Sequence, residues 1–228
     1  MICRILLYKY GQRYHNLTSA RWFLLHSFVN FIIASSALYG VIKFIKDPLT
    51  SFDMDEYSEY FISATSKWSL TYAVALHIYH CCIFKLSIED MFHHGIFLPT
   101  IGIPGMIYDW GCFGNWLVFF MCGLPGGVDY LLLGLHKLEC CLNYNQKRIC
   151  ANINVWFRMP AVLFGVGVAY ALFVRNTYTV PTLALLMQLI FLTFNVVYYT
   201  KQSVINYTLH SVKTIVPHAE WNVLKKIK

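Results

Sequence analysis

The apolar residues of this chain gather into long continuous runs instead of alternating with polar ones. Six runs stand out, at residues 22–45, 68–84, 91–108, 111–135, 151–174 and 180–200. A helix needs about 20 apolar residues to cross a bilayer core, and these runs approach or exceed that length. A membrane barrel would show period-two alternation over segments of about 10 residues, and the runs do not. The expected fold is all-α: a polytopic membrane helix bundle with six transmembrane helices. The third run holds Gly95, Pro99, Gly102, Pro104 and Gly105, so a kink or a break is expected there. The fourth is interrupted at Leu124-Pro125-Gly126-Gly127, which should bend or part-unwind it. The apolar stretch at residues 5–8 is too short for a secretory signal. In the polar, basic tail, Ile205, Leu209, Val212 and Val216 share one helical face, which predicts a short helix lying in the membrane interface. The chain thus divides into a basic N-terminal segment (1–21), a membrane domain (22–200) and a basic tail (201–228).

Composition strengthens this reading. Of the 228 residues, 57% are hydrophobic and only 13% charged, and mean hydropathy is +0.51. A soluble domain of this size would need more polar surface. An ordinary soluble protein, a disordered chain and a nucleic-acid-binding module are all excluded on that ground. The eight cysteines show no zinc-site or disulfide spacing.

The net charge of +7 is read as topology. Short cytosolic loops are enriched in lysine and arginine. With six spans and both termini cytosolic, 13 of the 18 basic residues fall on the cytosolic side. The opposite side keeps Lys43, Lys46, Lys67 and Arg175, with Asp47, Asp53, Asp55, Glu56 and Glu59. The ending Lys225-Lys226-Ile227-Lys228 matches a di-lysine retrieval pattern of endoplasmic reticulum membrane proteins, and this topology puts it in the cytosol. The sequons at Asn16 and Asn206 fall on the same side and should stay unmodified. Most of the cysteines lie there too, as free thiols of a reducing compartment.

Polar residues inside the runs carry the most information, because ionisable groups in a membrane are costly and face a bundle interior or a watery cavity. They are His26 and Asn30, His77 and His80, His93 and His94, Asp129 and His136, Asn152, Asn154 and Arg158, and Gln188 and Asn195. At 1.5 Å per residue, Asp129 and His77 lie about 12 Å and Arg158 about 11 Å in from the cytosolic ends of their runs. Nearly all of the set therefore occupies the cytosolic half, above an apolar and aromatic floor, with Gln188 nearer the middle. Asp129 and Arg158, at matching depth on consecutive runs, are expected to form an ion pair. His77 and His80 share a helix face at i and i+3. Metal is disfavoured, because a di-iron site of the membrane desaturase kind needs more histidines in repeated clusters. No metal ligand and no cofactor are expected.

The run Ile88-Glu89-Asp90-Met91-Phe92-His93-His94 resembles the paired-histidine signature of TLC-domain membrane proteins. Trp22 with His26-Ser27 is similar to that family's first span, and the stretch from Val128-Asp129 to His136-Lys137 and Asn143-Tyr144 to its aspartate-bearing helix. The resemblance spans most of residues 22–200. It implies six or more helices around a lipid-accepting cavity, usually in the endoplasmic reticulum. It carries His93, His94 and Asp129 over as catalytic candidates. Some members are ceramide synthases, which transfer an acyl chain from acyl-CoA to a sphingoid base. Those carry a histidine-aspartate pair before their second aspartate, where this chain reads Leu124-Pro125-Gly126-Gly127-Val128. Only Asp129 is kept, which speaks against synthase activity. Leu76-His77-Ile78-Tyr79-His80-Cys81 is also near the histidine box of fatty-acid elongases, with cysteine in place of the last histidine.

Three functions follow as expectations. The first is binding or remodelling of membrane lipids without catalysis. The second is an acyl-CoA-dependent acyltransferase, with His93 or His94 as general base oriented by Asp129. The third is a small channel or transporter. His77, His80, Arg158 and Asn195 are the substrate-binding candidates. Acyl-CoA is the co-substrate in the enzymatic case only. The expected partners are membrane lipids, with no nucleic acid and with a homodimer left open.

Overall fold

The computed structural model describes residues 2–50, 52 and 67–215. Six helical rods account for nearly all of them, and no strand occurs among the described residues. They are α1 (Ile2–Lys46), α2 (Trp68–Ile83), α3 (88–107), α4 (Gly111–Lys137), α5 (Asn143–Arg175) and α6 (Thr182–Ile215). Four stretches are long and apolar enough to cross a membrane: Ala20–Lys46, Gly111–Lys137, Asn143–Arg175 and Thr182–Lys213. At 16 residues, α2 spans only about 24 Å.

The rods alternate in direction and close a ring. α1 packs on α2, α2 on α3, α3 on α6, α6 on α5, α5 on α4, and α4 back on α1. The outward faces carry exposed Phe28, Ile42, Phe164, Leu183 and Ile190. Apolar surface on that scale suits contact with lipid and not with water. One end of the ring is filled by aromatic rings. There Phe44 stacks on Trp116 with centroids 4.6 Å apart, and Phe52 on Phe113 at 5.2 Å. The Ser69 hydroxyl donates to Asn115 Oδ1 at 2.7 Å and ties α2 to α4 at that end. The other end collects the polar side chains.

The tightest seam runs between α1 and α4. On α4, Gly123, Gly127 and Gly134 face α1, where added Cβ atoms would meet Ala34, Phe31 and Leu24. Small residues at such spacing let two membrane helices approach closely. At the seam, the Ser27 hydroxyl donates to the Gly127 carbonyl at 2.8 Å.

Proline shapes the interior of three rods. Wide π-helical turns occupy Leu98–Gly102, Phe119–Gly123 and Asn154–Arg158. Two positions past each stands a proline: Pro104, Pro125 and Pro160. A proline donates no hydrogen bond and its ring presses on the carbonyl four residues back, here Thr100, Met121 and Trp156. Each of these carbonyls falls inside the wide turn, which makes room for the ring without ending the helix.

Several sequence expectations are corrected. The third run is neither broken nor sharply interrupted, because the wide turn at Leu98–Gly102 accommodates Pro104 while the residues on either side stay helical. In the fourth run the disturbance precedes Leu124-Pro125-Gly126-Gly127, which is itself helical. The fifth rod starts at Asn143, before the apolar run at residue 151, because Gln146 is buried against Asp129. No separate interfacial helix begins at residue 201. α6 continues to Ile215, with nothing to break it and with Asn143 Nδ2 3.0 Å from His210 Nε2 holding it to α5. The acidic residues Asp53, Asp55, Glu56 and Glu59, and the ending at Lys225 to Lys228, lie outside the described residues.

The seam generates a matched test. An added Cβ at Gly123 would sit 3.1 Å from the Ala34 Cα, a backbone atom that cannot swing away. Gly123→Ala is expected to destabilise the bundle by about 1–3 kcal/mol. At Gly95 nothing lies within 4 Å, so Gly95→Ala should cause no loss. Thermal unfolding of both variants in detergent micelles checks the contrast.

Candidate functional site

Inside the ring lies a cavity of about 370 Å³ to which all six helices contribute. Its lining is graded. Leu70, Val74, Gly105, Trp110, Gly114 and Leu117 form the part nearest the aromatic end, and His77, Asp90, His93, Asp129, Arg158 and Ser203 the part at the polar end. Asn30 from α1 and Gln188 from α6 lie between.

The wide turns build much of this wall. In α3 the turn frees carbonyls for side-chain partners, and Gln188 Nε2 donates to those of Ile101 (3.2 Å) and Thr100 (3.5 Å). The turn in α5 delivers Asn154 and Arg158. The Arg158 guanidinium donates from Nη1 to Asn154 Oδ1 and from Nη2 to Asn195 Oδ1, both at 3.4 Å. Its Nε is buried with no hydrogen-bond partner. A buried guanidinium N–H without an acceptor is costly. The Arg158 side chain lines the cavity.

The expected ion pair between Arg158 and Asp129 is not formed. Asp129 Oδ1 instead accepts from Gln146 Nε2 at 2.7 Å, and Gln146 is almost wholly buried. Both charges keep amide partners on their own side of the cavity, so neither needs the other. Among the described residues no hydrogen bond links Asp129 to His93 or His94.

The histidines pack as a group where the end of α2 meets the start of α3. Ser87 caps α3, accepting from the Asp90 backbone N–H (3.1 Å) while the Asp90 carboxylate accepts from the Ser87 N–H (3.0 Å). This reciprocal cap starts a new helix within a few residues of the last one and sets His93 and His94 against His77 and His80. Ring centroids lie 5.1 Å apart for His77 and His94, 5.2 Å for His93 and His94, and 5.6 Å for His77 and His93. Trp22 from α1 stacks on His80 at 4.2 Å. His77 Nδ1 lies 2.6 Å from the Ala73 carbonyl and must be the N–H that donates to it. His93 Nδ1 is 3.0 Å from the Tyr199 hydroxyl. His80 Nδ1 meets His94 Nε2 at 2.9 Å.

Of the sequence-based candidates, His77, His93, Asp129, Arg158 and Asn195 line the cavity. His80 and His94 are buried behind that wall. Two groups close enough to share a metal ion emerge: His77, His93 and His94, and His80, Asp90 and His94, with ligand atoms within 4.8 Å in each. The expectation against metal counted histidines along the chain and did not place them. Sequence reasoning missed Gln146, which precedes the apolar run. It also missed Tyr199, although its i+4 spacing from Asn195 was available as a signal. No family model, no curated protein and no solved structure matches the chain.

The amide on Asp129 yields a stability test. Gln146→Leu strands a half-buried carboxylate and is expected to cost about 1–3 kcal/mol. Adding Asp129→Leu to it should recover part of that loss, because no polar group is then left unpaired. Unfolding of the two single variants and the double variant in micelles measures the coupling.

Proposed function

We propose that this chain is a multi-pass membrane protein that binds a membrane lipid through a cavity open to the cytosol. In this reading all six rods cross the bilayer, the two shorter ones with local thinning of the bilayer. Both termini are cytosolic, and the polar end of the ring faces the cytosol, in the endoplasmic reticulum membrane. The basic bias of the loops and the lysine-rich ending support that orientation. The TLC-type reading of the paired histidines belongs to the same proposal.

The observation that carries it is the graded cavity. A polar end holding the Arg158 guanidinium, above an apolar end lined by Leu70, Trp110 and Leu117, matches a lipid with an oxygen-bearing head and a hydrocarbon chain. Arg158 would donate to the head-group oxygen, with Asn195 holding the guanidinium in place. The aromatic plug of Phe44, Phe52, Phe113 and Trp116 speaks against a channel.

The second reading, acyl transfer from acyl-CoA, has one observation in its favour. His77 and His93 line the cavity with Nδ1 already engaged, which leaves Nε2 of each as the nitrogen able to take a proton. Labelled acyl-CoA with a sphingoid base tests it. Product formation that is lost in His93→Ala supports transfer, and absence of product leaves lipid binding alone.

Two outcomes test the main reading. Protein extracted in mild detergent should carry one lipid class enriched over the surrounding membrane, seen by mass spectrometry. Arg158→Gln should deplete it several-fold, and wild-type protein carrying only the bulk lipid mixture would overturn the reading. For topology, a glycosylation sequon inserted between residues 53 and 66 should be modified, while Asn16 and Asn206 stay bare.

A further inference from the structure

We infer that His77, His93 and His94 hold a divalent transition-metal ion, Zn²⁺ by ligand type, with one coordination position left facing the cavity. The inference does not depend on the lipid reading. It rests on how the ring nitrogens are committed. In each of the three rings one nitrogen is engaged by an outer partner and the other is not. His77 Nδ1 donates to the Ala73 carbonyl (2.6 Å), so its Nε2 carries a bare lone pair. His93 Nδ1 is held by the Tyr199 hydroxyl (3.0 Å), which leaves its Nε2 without a partner among the described residues. His94 Nε2 is held by His80 Nδ1 (2.9 Å), and His94 Nδ1 is buried with no hydrogen-bond partner. Metal-binding histidines almost always have their second nitrogen fixed in this way by a carbonyl, carboxylate or other polar group. Without an ion, the buried His94 Nδ1 is left with no hydrogen-bond partner, an expensive use of a buried polar atom.

The geometry is close to what an ion requires. Ligand atoms of the three rings lie within 4.8 Å of one another. Around a tetrahedral Zn²⁺ with Zn–N near 2.0–2.1 Å they would stand about 3.3 Å apart, a closure that modest side-chain rotations supply. Three neutral imidazoles with no thiolate or carboxylate suit zinc and its neighbours over Ca²⁺ or Mg²⁺. Three protein ligands are also the number that leaves a fourth position open. His77 and His93 line the cavity, so that position faces the same space as Arg158. Water would fill it at rest, and an anionic or carbonyl oxygen would be the exchangeable ligand. The second group, His80, Asp90 and His94, is the less available one. Its Asp90 Oδ2 already accepts from the Ser87 N–H and hydroxyl, at 3.0 and 2.8 Å.

The test uses the full chain in detergent micelles, stripped with a chelator and reloaded separately with Zn²⁺ and with Co²⁺. The expected result is retention of one Zn²⁺ per chain through gel filtration, and with Co²⁺ the visible bands of a four-coordinate site without a thiolate charge-transfer band. His77→Ala, His93→Ala and His94→Ala should each abolish both signals, while His136→Ala keeps them. Tyr199→Phe, which removes only the outer partner of His93, should weaken Zn²⁺ about 10- to 100-fold. A wild-type protein that retains no Zn²⁺ and shows no Co²⁺ bands overturns the inference, and this outcome needs no variant to fold. Binding that survives His77→Ala and His93→Ala but is lost in His80→Gln or Asp90→Asn also overturns it, in favour of the second group. Lipid copurification is scored on the same samples without added metal, so failure of one proposal leaves the other readable.

Discussion

Hydrocarbon offers no hydrogen bonds, so every polar group the chain takes into its interior must find a partner there. Most of the architecture answers that constraint. Three prolines remove three helical donors, and a wide turn forms ahead of each of them. The carbonyls opened in this way then become docking points, as Gln188 shows on Thr100 and Ile101. What would be a defect in an isolated helix becomes a means of tying α6 to α3. The same turns turn side chains inward, and the cavity is lined where the helices depart from ideal geometry.

The two charges in the bundle show how the constraint is met without an ion pair. Bringing Asp129 and Arg158 together would satisfy both at once. The structure gives each its own amides, Gln146 for one and Asn154 with Asn195 for the other. A carboxylate and a guanidinium held apart across a cavity keep a strong local field in the space between them, because the interior screens poorly. A closed ion pair would cancel most of it.

Long apolar runs made the all-helical fold legible, and period and length sufficed for it. The π-turns were only half legible. Pro104 and Pro125 marked disturbed helices, but proline content alone does not separate a break from a widened turn. What decides is whether a neighbour can take up the freed carbonyl. The extent of α5 was missed because the apolar run begins only at residue 151, and only the tertiary contact with Asp129 shows why Gln146 is helical and buried. Depth along each run grouped His77, His93, Asp129, Arg158 and Asn195, which line one cavity. Depth could not assign partners, since matching height on consecutive helices says nothing about rotation about their axes. The same limit hid the convergence of the histidines, which depends on the Ser87–Asp90 cap turning the chain between α2 and α3.

That cap separates the two walls of the cavity in the order of synthesis. His80 and His94 are 14 positions apart, within one helical hairpin, whereas His93 and Tyr199 are 106 apart. Contacts that close short loops form early and at small entropic cost, and long ones wait for the rest of the chain. The histidine wall can thus assemble as soon as α3 has left the ribosome. The wall of Arg158, Asn195 and Tyr199 cannot exist until α6 is made. A nascent chain passes through a stage in which the imidazoles are already grouped but stand open on one flank, exposed to whatever ions and lipids surround the insertion machinery.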